Sequence, residues 1–195
     1  MSITMVNLSE FEIQRRTECE NIYSLKELDV RYMFLEDISI LSGIKNLKEL
    51  SLSGNSLDSI SSLEGLDLRK LHIDNNKLES VKELAGMKKL RDLRLYCNNL
   101  RDISGISRLT LITHLDISHN NLEDISHLSS LRNLTDLDVS HNYVRNVSPL
   151  VRLKKLRLVN LSHNNISDIN DSNVAILLSF AAVNLDRNPF RSQSI

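Results

Sequence analysis

A chain of 195 residues, 41% hydrophobic and 25% charged, is long enough to bury a sizeable core. Its formal net charge of −1 excludes whole-molecule attraction to nucleic acid or to an anionic membrane, and no partner of either kind is expected. Its two cysteines, Cys19 and Cys97, form no terminal cluster of the kind that closes secreted repeat domains, which points to a reducing compartment.

Residues 1–24 precede the regular part of the chain and are expected to form an N-terminal cap. Met1 to Arg16 hold no apolar stretch long enough for a signal peptide, so a cytoplasmic location is expected. Two readings of the cap are open. Counting back 22 residues from Leu25 places Ile3, Val6, Leu8, Phe11 and Ile13 in a degenerate copy of the repeat that begins at Leu25. Alternatively, Ser9-Glu10-Phe11-Glu12 is a capping box that starts a short helix, and this is the preferred reading.

From Leu25 one phrase returns eight times, L-x-x-L-x-L-x-x-N-x-L, starting at Leu25, Leu47, Leu68, Leu90, Ile112, Leu134, Leu156 and Phe180. A fixed period of about 22 residues with this grammar predicts an α/β repeat protein, a right-handed solenoid of leucine-rich repeats over residues 25–190. In each copy the step of two sets one strand: Leu115 and Ile117 point inward, while His114, Asp116 and Ser118 point outward. Stacked in parallel, such strands make a sheet on the concave face. Asn55, Asn76, Asn98, Asn120, Asn142, Asn164 and Asn188 form an inner ladder, because an amide that donates and accepts can pair the buried backbone where the chain turns. After each asparagine the apolar residues step by three, as in Leu122, Ile125, Leu128 and Leu131, which predicts 3₁₀ or short helical turns on the convex face. Ser39, Ser61, Ser104, Ser126 and Ser148 are placed to cap those turns. Pro149 fits a first-turn position.

Toward the end of the chain, Asp171 or Ser172 can open a true helix through Val174, Leu177 and Leu178, which explains a last interval of 24 residues. The apolar run from Val174 to Val183 is interrupted and too short to span a bilayer. Residues 191–195 are left as a C-terminal tail.

The repeats resemble the short leucine-rich class found in the leucine-rich regulatory subunit of protein phosphatase 1 and in the bacterial internalins. Leu122-Glu123-Asp124-Ile125-Ser126 and the stretch from Leu161 to Ile169 carry the resemblance, which covers Leu25 to Phe190. Asn188-Pro189-Phe190 looks like the start of the C-terminal cap motif of the intracellular members, without its tyrosine-containing remainder. What the resemblance implies is a protein-binding surface, with a regulatory subunit of a phosphatase or other enzyme as one alternative. The recognition domain of a larger enzyme or bacterial effector is another.

Function is then sought on the outward residues of the strands. Acids outnumber bases there, and Asp116 and Asp138 hold equivalent places on neighbouring strands about 5 Å apart. They are expected to repel until a cation or basic group joins them, so a basic segment of a protein partner is the natural complement. His72, Arg94, Tyr96 and His114 depart from the small or acidic residues usual at these places, and Tyr and Arg dominate interface hot spots. The expected partner-binding centre is His72, Asp74, Arg94, Tyr96, His114, Asp116 and Asp138. Leu158 and Tyr32 are further exposed candidates. His119, His141 and His163 recur in register about 5 Å apart, within reach of a shared metal, but Ser-His-Asn is a common spelling of this turn and no metal site is expected. His114, Asp116 and Ser118 share a strand face about 7 Å apart, too far for a triad, and no phosphate-binding glycine loop or zinc spacing occurs. A non-enzymatic interaction scaffold without cofactor is therefore expected, acting as a monomer, with end-to-end pairing of two copies left open.

Overall fold

The computed structural model describes residues 6–167 and 172–189. The chain enters through β1 (Val6–Asn7) and α1 (Glu10–Thr17), then β2 (Glu27–Asp29) and β3 (Leu35–Asp37). Six three-residue strands come next at the repeat spacing: β4 (Glu49–Ser51), β5 (Lys70–His72), β6 (Asp92–Arg94), β7 (His114–Asp116), β8 (Asp136–Asp138) and β9 (Leu158–Asn160). Helix α2 (Ser172–Leu178) and β10 (Ala182–Asn184) come last. β2 and β4 to β10 form one parallel eight-stranded sheet in chain order, and β1 pairs with β3 in a separate small sheet. The expected solenoid is the fold observed.

Register is set by burial. Leu28, Leu50, Leu71, Leu93, Leu115, Leu137, Val159 and Val183 are consecutive cross-strand partners. A slip of one residue would turn all of them to solvent. The inward residues join those of the 3₁₀ turns, such as Leu84, Ile106, Leu128 and Leu150, in one continuous core.

The asparagine ladder takes its expected place and its bonds explain the residue type. Leu100 N–H donates to Asn120 Oδ1 at 2.9 Å, while Asn120 Nδ2 donates to the carbonyls of Leu95, Ile117 and Ser118 at 3.0, 3.0 and 2.9 Å. One buried amide thus satisfies backbone groups of two repeats that no strand reaches. In the first repeat Met33 stands at this place, and its own N–H and that of Leu35 are taken up by Asn55.

At the N-terminal end the helix expected from Ser9 is present. Glu12 N–H donates to Ser9 Oγ at 3.2 Å and Ser9 N–H donates to Glu12 Oε2 at 3.0 Å. α1 buries Ile13 completely, joining it to the core. Helix α2 buries Val174 and Leu177, while Asp171, the other candidate start, and Phe190, in the candidate end motif, lie outside the described residues.

Two expectations are corrected. The strands stop at the fifth place of the repeat, not the seventh, because the eighth place of each copy is in the left-handed region: Tyr32, Gly54, Asn75, Cys97, His119, His141, His163 and Arg187 all have φ between 51° and 70°. That turn draws the seventh residue in, so Ser53, Ser118, Ser140 and Ser162 are buried rather than outward. The convex serines do not cap their turns either. Ser39, Ser104 and Ser126 give their N–H to the aspartates two residues earlier, Asp37, Asp102 and Asp124, at 2.7 to 2.8 Å. Asn146 does the same for Ser148 and Ser59 for Ser61. An Asx turn at the preceding polar residue supplies the acceptor.

Candidate binding surface

With three-residue strands the concave face has two outward columns. The third place of the repeat gives Glu27, Glu49, Lys70, Asp92, His114, Asp136, Leu158 and Ala182, and the fifth gives Asp29, Ser51, His72, Arg94, Asp116, Asp138, Asn160 and Asn184.

Across β2 to β6 most of the charged groups pair among themselves. Arg31 Nη2 lies 2.7 Å from Asp29 Oδ2, and this hydrogen bond holds the Asp29 carboxyl below the usual carboxylate range. Lys70 reaches Glu49 at 4.0 Å, and Arg94 Nε lies 3.8 Å from Asp92. His72, expected on an open patch, has its side chain only 14% exposed, with Nε2 3.4 Å from Asp92 Oδ2 and without a well-aligned hydrogen bond. Burial pushes its pKa down more strongly than Asp92 raises it. Asp74 is tied to its surroundings as well, accepting from Tyr96 N–H at 3.2 Å and from Ser53 Oγ at 3.0 Å.

Across β6 to β10 the character changes. A groove of about 700 Å³ has Leu115, Leu137, Val159 and Val183 in its floor, Leu158 and Ala182 rising from it, and Asp116, Asp136, Asp138, Arg94 and His114 around it. Leu158 is 58% exposed. Asp138 accepts from Ser140 N–H and Oγ at 2.9 and 2.6 Å and from Asn160 Nδ2 at 2.9 Å, so the cation expected to relieve it is partly replaced by neutral donors. Asp116 accepts from Ser118 through Oδ1, at 3.0 Å from N–H and 2.6 Å from Oγ, and among the described residues nothing donates to its Oδ2. Burial, reinforced by Asp138 and Asp74, pushes its carboxyl above the usual range against the pull of Ser118.

The seven residues expected to form one centre are thus divided. His72, Asp74 and Tyr96 line a smaller hollow with Arg94 and Asp116, while His114 and Asp138 line the larger groove, which Arg94 and Asp116 also border. Leu158, Ala182 and Val183 are the groove residues that sequence reasoning did not assemble. A leucine at the third place of one repeat was their only signal.

The histidines stack more tightly than expected. Ring centroids of His119 and His141, and of His141 and His163, are 3.9 Å apart with planes 16° and 14° from parallel, and Tyr96 meets His119 edge-on at 5.0 Å. Face-to-face rings direct their nitrogens side by side, and among the described residues no group of three or more ligand side chains is placed to hold a metal. His114 Nε2 faces Asp136 at 3.3 Å and its Nδ1 faces Thr113 Oγ1 at 2.9 Å, while Ser118 Oγ is bonded to Asp116. These contacts do not connect a nucleophile to a base.

Comparison with known proteins agrees with the fold. Models of leucine-rich repeats match residues 23–65 and 110–152, 67–122, and 152–169. The uncharacterized protein F09G8.5 of Caenorhabditis elegans is 34% identical over 88 residues, 45% of this chain, and the match spans only 19% of that protein. The crystal structure of internalin C2 from Listeria monocytogenes superposes with a TM-score of 0.84 at 26% identity, covering 93% of this chain and 84% of that one. An internalin F structure from the same organism gives 0.83 at 26% identity, covering 93% and 63%. A leucine-rich-repeat protein of Leptospira interrogans shares the fold at 0.68 and 24% identity, covering 88% and 51%. With its repeats matched from residue 23 to 169 and its asparagine ladder and parallel sheet in place, the chain belongs to the leucine-rich repeat proteins.

Proposed function

We infer that the chain is a non-enzymatic protein-binding scaffold, and that its concave groove over β6 to β10 receives an extended partner segment carrying an apolar side chain beside a lysine or arginine. Leucine-rich repeats commonly serve as protein-interaction scaffolds, and the observation that carries the finer reading is Leu158. An aliphatic side chain 58% exposed, over an apolar floor and beside Asp116, Asp136 and Asp138, offers both halves of such a site. Burying it removes apolar surface from water, and Asp116 Oδ2, to which no described residue donates, can accept from a cation. A framework held by backbone ladders needs little reordering on binding, which keeps the entropic cost low.

In this reading Arg94, His114, Asp116 and Asp138 border the site, and His72, Asp74 and Tyr96 extend it toward the N-terminal end. Residues 1–24 act as a cap and 25–190 as the binding solenoid. The protein works in the cytoplasm as a monomer, a location that two free cysteines suit. Among the described residues no helix is long and apolar enough to cross a membrane.

Selection from a displayed library of random decapeptides tests the reading. An enriched motif pairing Leu, Ile or Phe with Arg or Lys is expected, together with its loss on Leu158→Asp. Failure of any sequence to enrich, or enrichment that survives Leu158→Asp unchanged, overturns it.

A further inference from the structure

The near-zero net charge conceals a segregated edge. At the second place of each repeat, just before the strand, stand Lys26, Lys48, Arg69 and Arg91 in four consecutive copies. Their backbones are directly bonded: Lys48 N–H donates to Lys26 O at 2.7 Å, Arg69 to Lys48 at 2.7 Å and Arg91 to Arg69 at 2.8 Å. The side chains therefore leave the sheet edge one above another at about the 4.8 Å strand spacing. Like charges placed directly opposite on neighbouring strands oppose folding. Among the described residues only Asp67 relieves them, 3.7 Å from Lys48 and bonded to Lys89 of the adjoining turn. Lys26, Arg69 and Arg91 are exposed and, among the described residues, have no acidic partner. Thr113 and Thr135 take the next two places, and exposed Arg157 resumes the charge at the C-terminal end, with Lys154 and Lys155 on the turn beside it, Lys154 over the Phe180 ring at 4.3 Å and Lys155 donating to Asn133 Oδ1 at 2.6 Å.

We propose that this basic edge is a second docking surface, distinct from the groove, that takes an extended Glu/Asp-rich polypeptide segment. Its shape selects that class. The ladder from Lys26 to Arg157 has seven rungs, five of them basic and four of those consecutive, and is about 29 Å long, the span of roughly nine residues of extended chain. It is also narrow. In the next column toward the concave face acids predominate, Glu27, Glu49, Asp92 and Asp136 beside Lys70 and His114, well within a Debye length of about 8 Å. A bilayer or a duplex laid on the edge would meet those carboxylates, whereas a single acidic strand one side chain wide follows the cations and avoids them.

The test uses the full chain and a fluorescein-labelled peptide of nine glutamates, followed by anisotropy at low ionic strength. Saturable binding is expected, weakened at least tenfold by Arg69→Glu/Arg91→Glu, both exposed positions where an unchanged melting curve confirms the fold. Asp67→Asn is expected to tighten it two- to threefold, and added salt to weaken it. Leu158→Ser, a neutral change in the groove, should leave it unaltered, which separates the edge from the groove. The edge is overturned if the peptide does not saturate, or if the double reversal leaves its affinity unchanged. Loss on Leu158→Ser would place the peptide in the groove and overturn it as well. Equal or tighter binding of a nine-nucleotide single strand, or of phosphatidylserine vesicles, would assign the edge to a different macromolecule. Self-association of the wild type that the reversal abolishes would assign it to a second copy of this chain.

Discussion

The two halves of the concave sheet rest on the same frame and use their outward residues differently. From β2 to β6 most charges find an opposite one close by, as in Asp29 with Arg31, Glu49 with Lys70, and Asp92 with Arg94. From β6 to β10 the acids lean on neutral donors, Ser118, Ser140 and Asn160, and an exposed leucine stands among them. A surface that satisfies itself has little left for a partner. The contrast teaches that binding capacity in a repeat protein is read from what the outward columns leave unpaired, since exposed ion pairs contribute only about 0–1 kcal/mol each.

The largest effect tests whether the frame really is common to both halves. Asn76 accepts from Leu57 N–H at 3.0 Å and donates to Leu52 and Ile73 carbonyls at 3.1 Å. Asn142 accepts from Leu122 N–H at 2.9 Å and donates to Ile117, Val139 and Ser140 carbonyls. Asn76→Ala and Asn142→Ala each strand buried backbone groups, and each is expected to cost about 2–4 kcal/mol in urea unfolding. A cost confined to one of the two would break the premise that only the surfaces differ.

Next comes the groove itself. Leu158→Asp is expected to weaken a selected peptide about thirtyfold, roughly 2 kcal/mol, while Lys70→Ala in the self-paired half changes it less than about twofold. Isothermal titration of both variants with one peptide decides the matter. Equal losses would mean that the partner reads the whole face and that the division is not functional.

Much of the frame is legible in the sequence because a residue's place in the repeat predicts its surroundings. Asn120 can be assigned to the ladder from spacing alone, since only an amide serves a turn that needs both a donor and an acceptor. The end of each strand is harder to see. Ser118 and Ser140 obey the step of two that marks outward residues, yet they are drawn inside by a left-handed residue just beyond them. The sign is present in Gly54, Asn75, His119 and His141, types enriched at that conformation, although the histidines read equally well as candidate ligands. Leu158 is visible as an exception, but its partners in the floor, Val159, Ala182 and Val183, come together only once β9 and β10 are paired. The same limit applies to Asp116, whose raised pKa depends on burial that no spacing reveals.

The smallest effects are titrations, and they run in opposite directions in the two halves. Burial lowers the pKa of His72 from its ordinary 6.5, so the folded protein resists the proton that the unfolded chain accepts. Its contribution is complete above pH 6.5 and is lost as pH falls from there through the lowered folded value. Asp116 is shifted upward from 3.8, so the folded protein holds its proton more tightly than the unfolded chain. That contribution is complete below pH 3.8 and is lost as pH rises through the raised folded value, leaving an ionised, buried carboxylate as a cost at neutral pH. Melting temperatures taken from about pH 8 down to about pH 4 should therefore show His72→Gln flattening the acid-side decline that begins near pH 6.5. Asp116→Asn should gain on the wild type at about pH 7 and surrender that gain as the wild-type carboxylate takes up its proton. If Asp116→Asn instead destabilises at neutral pH, the carboxylate stabilises the fold through Ser118 by more than its burial costs, and the acidic half of the face is as self-satisfied as the other.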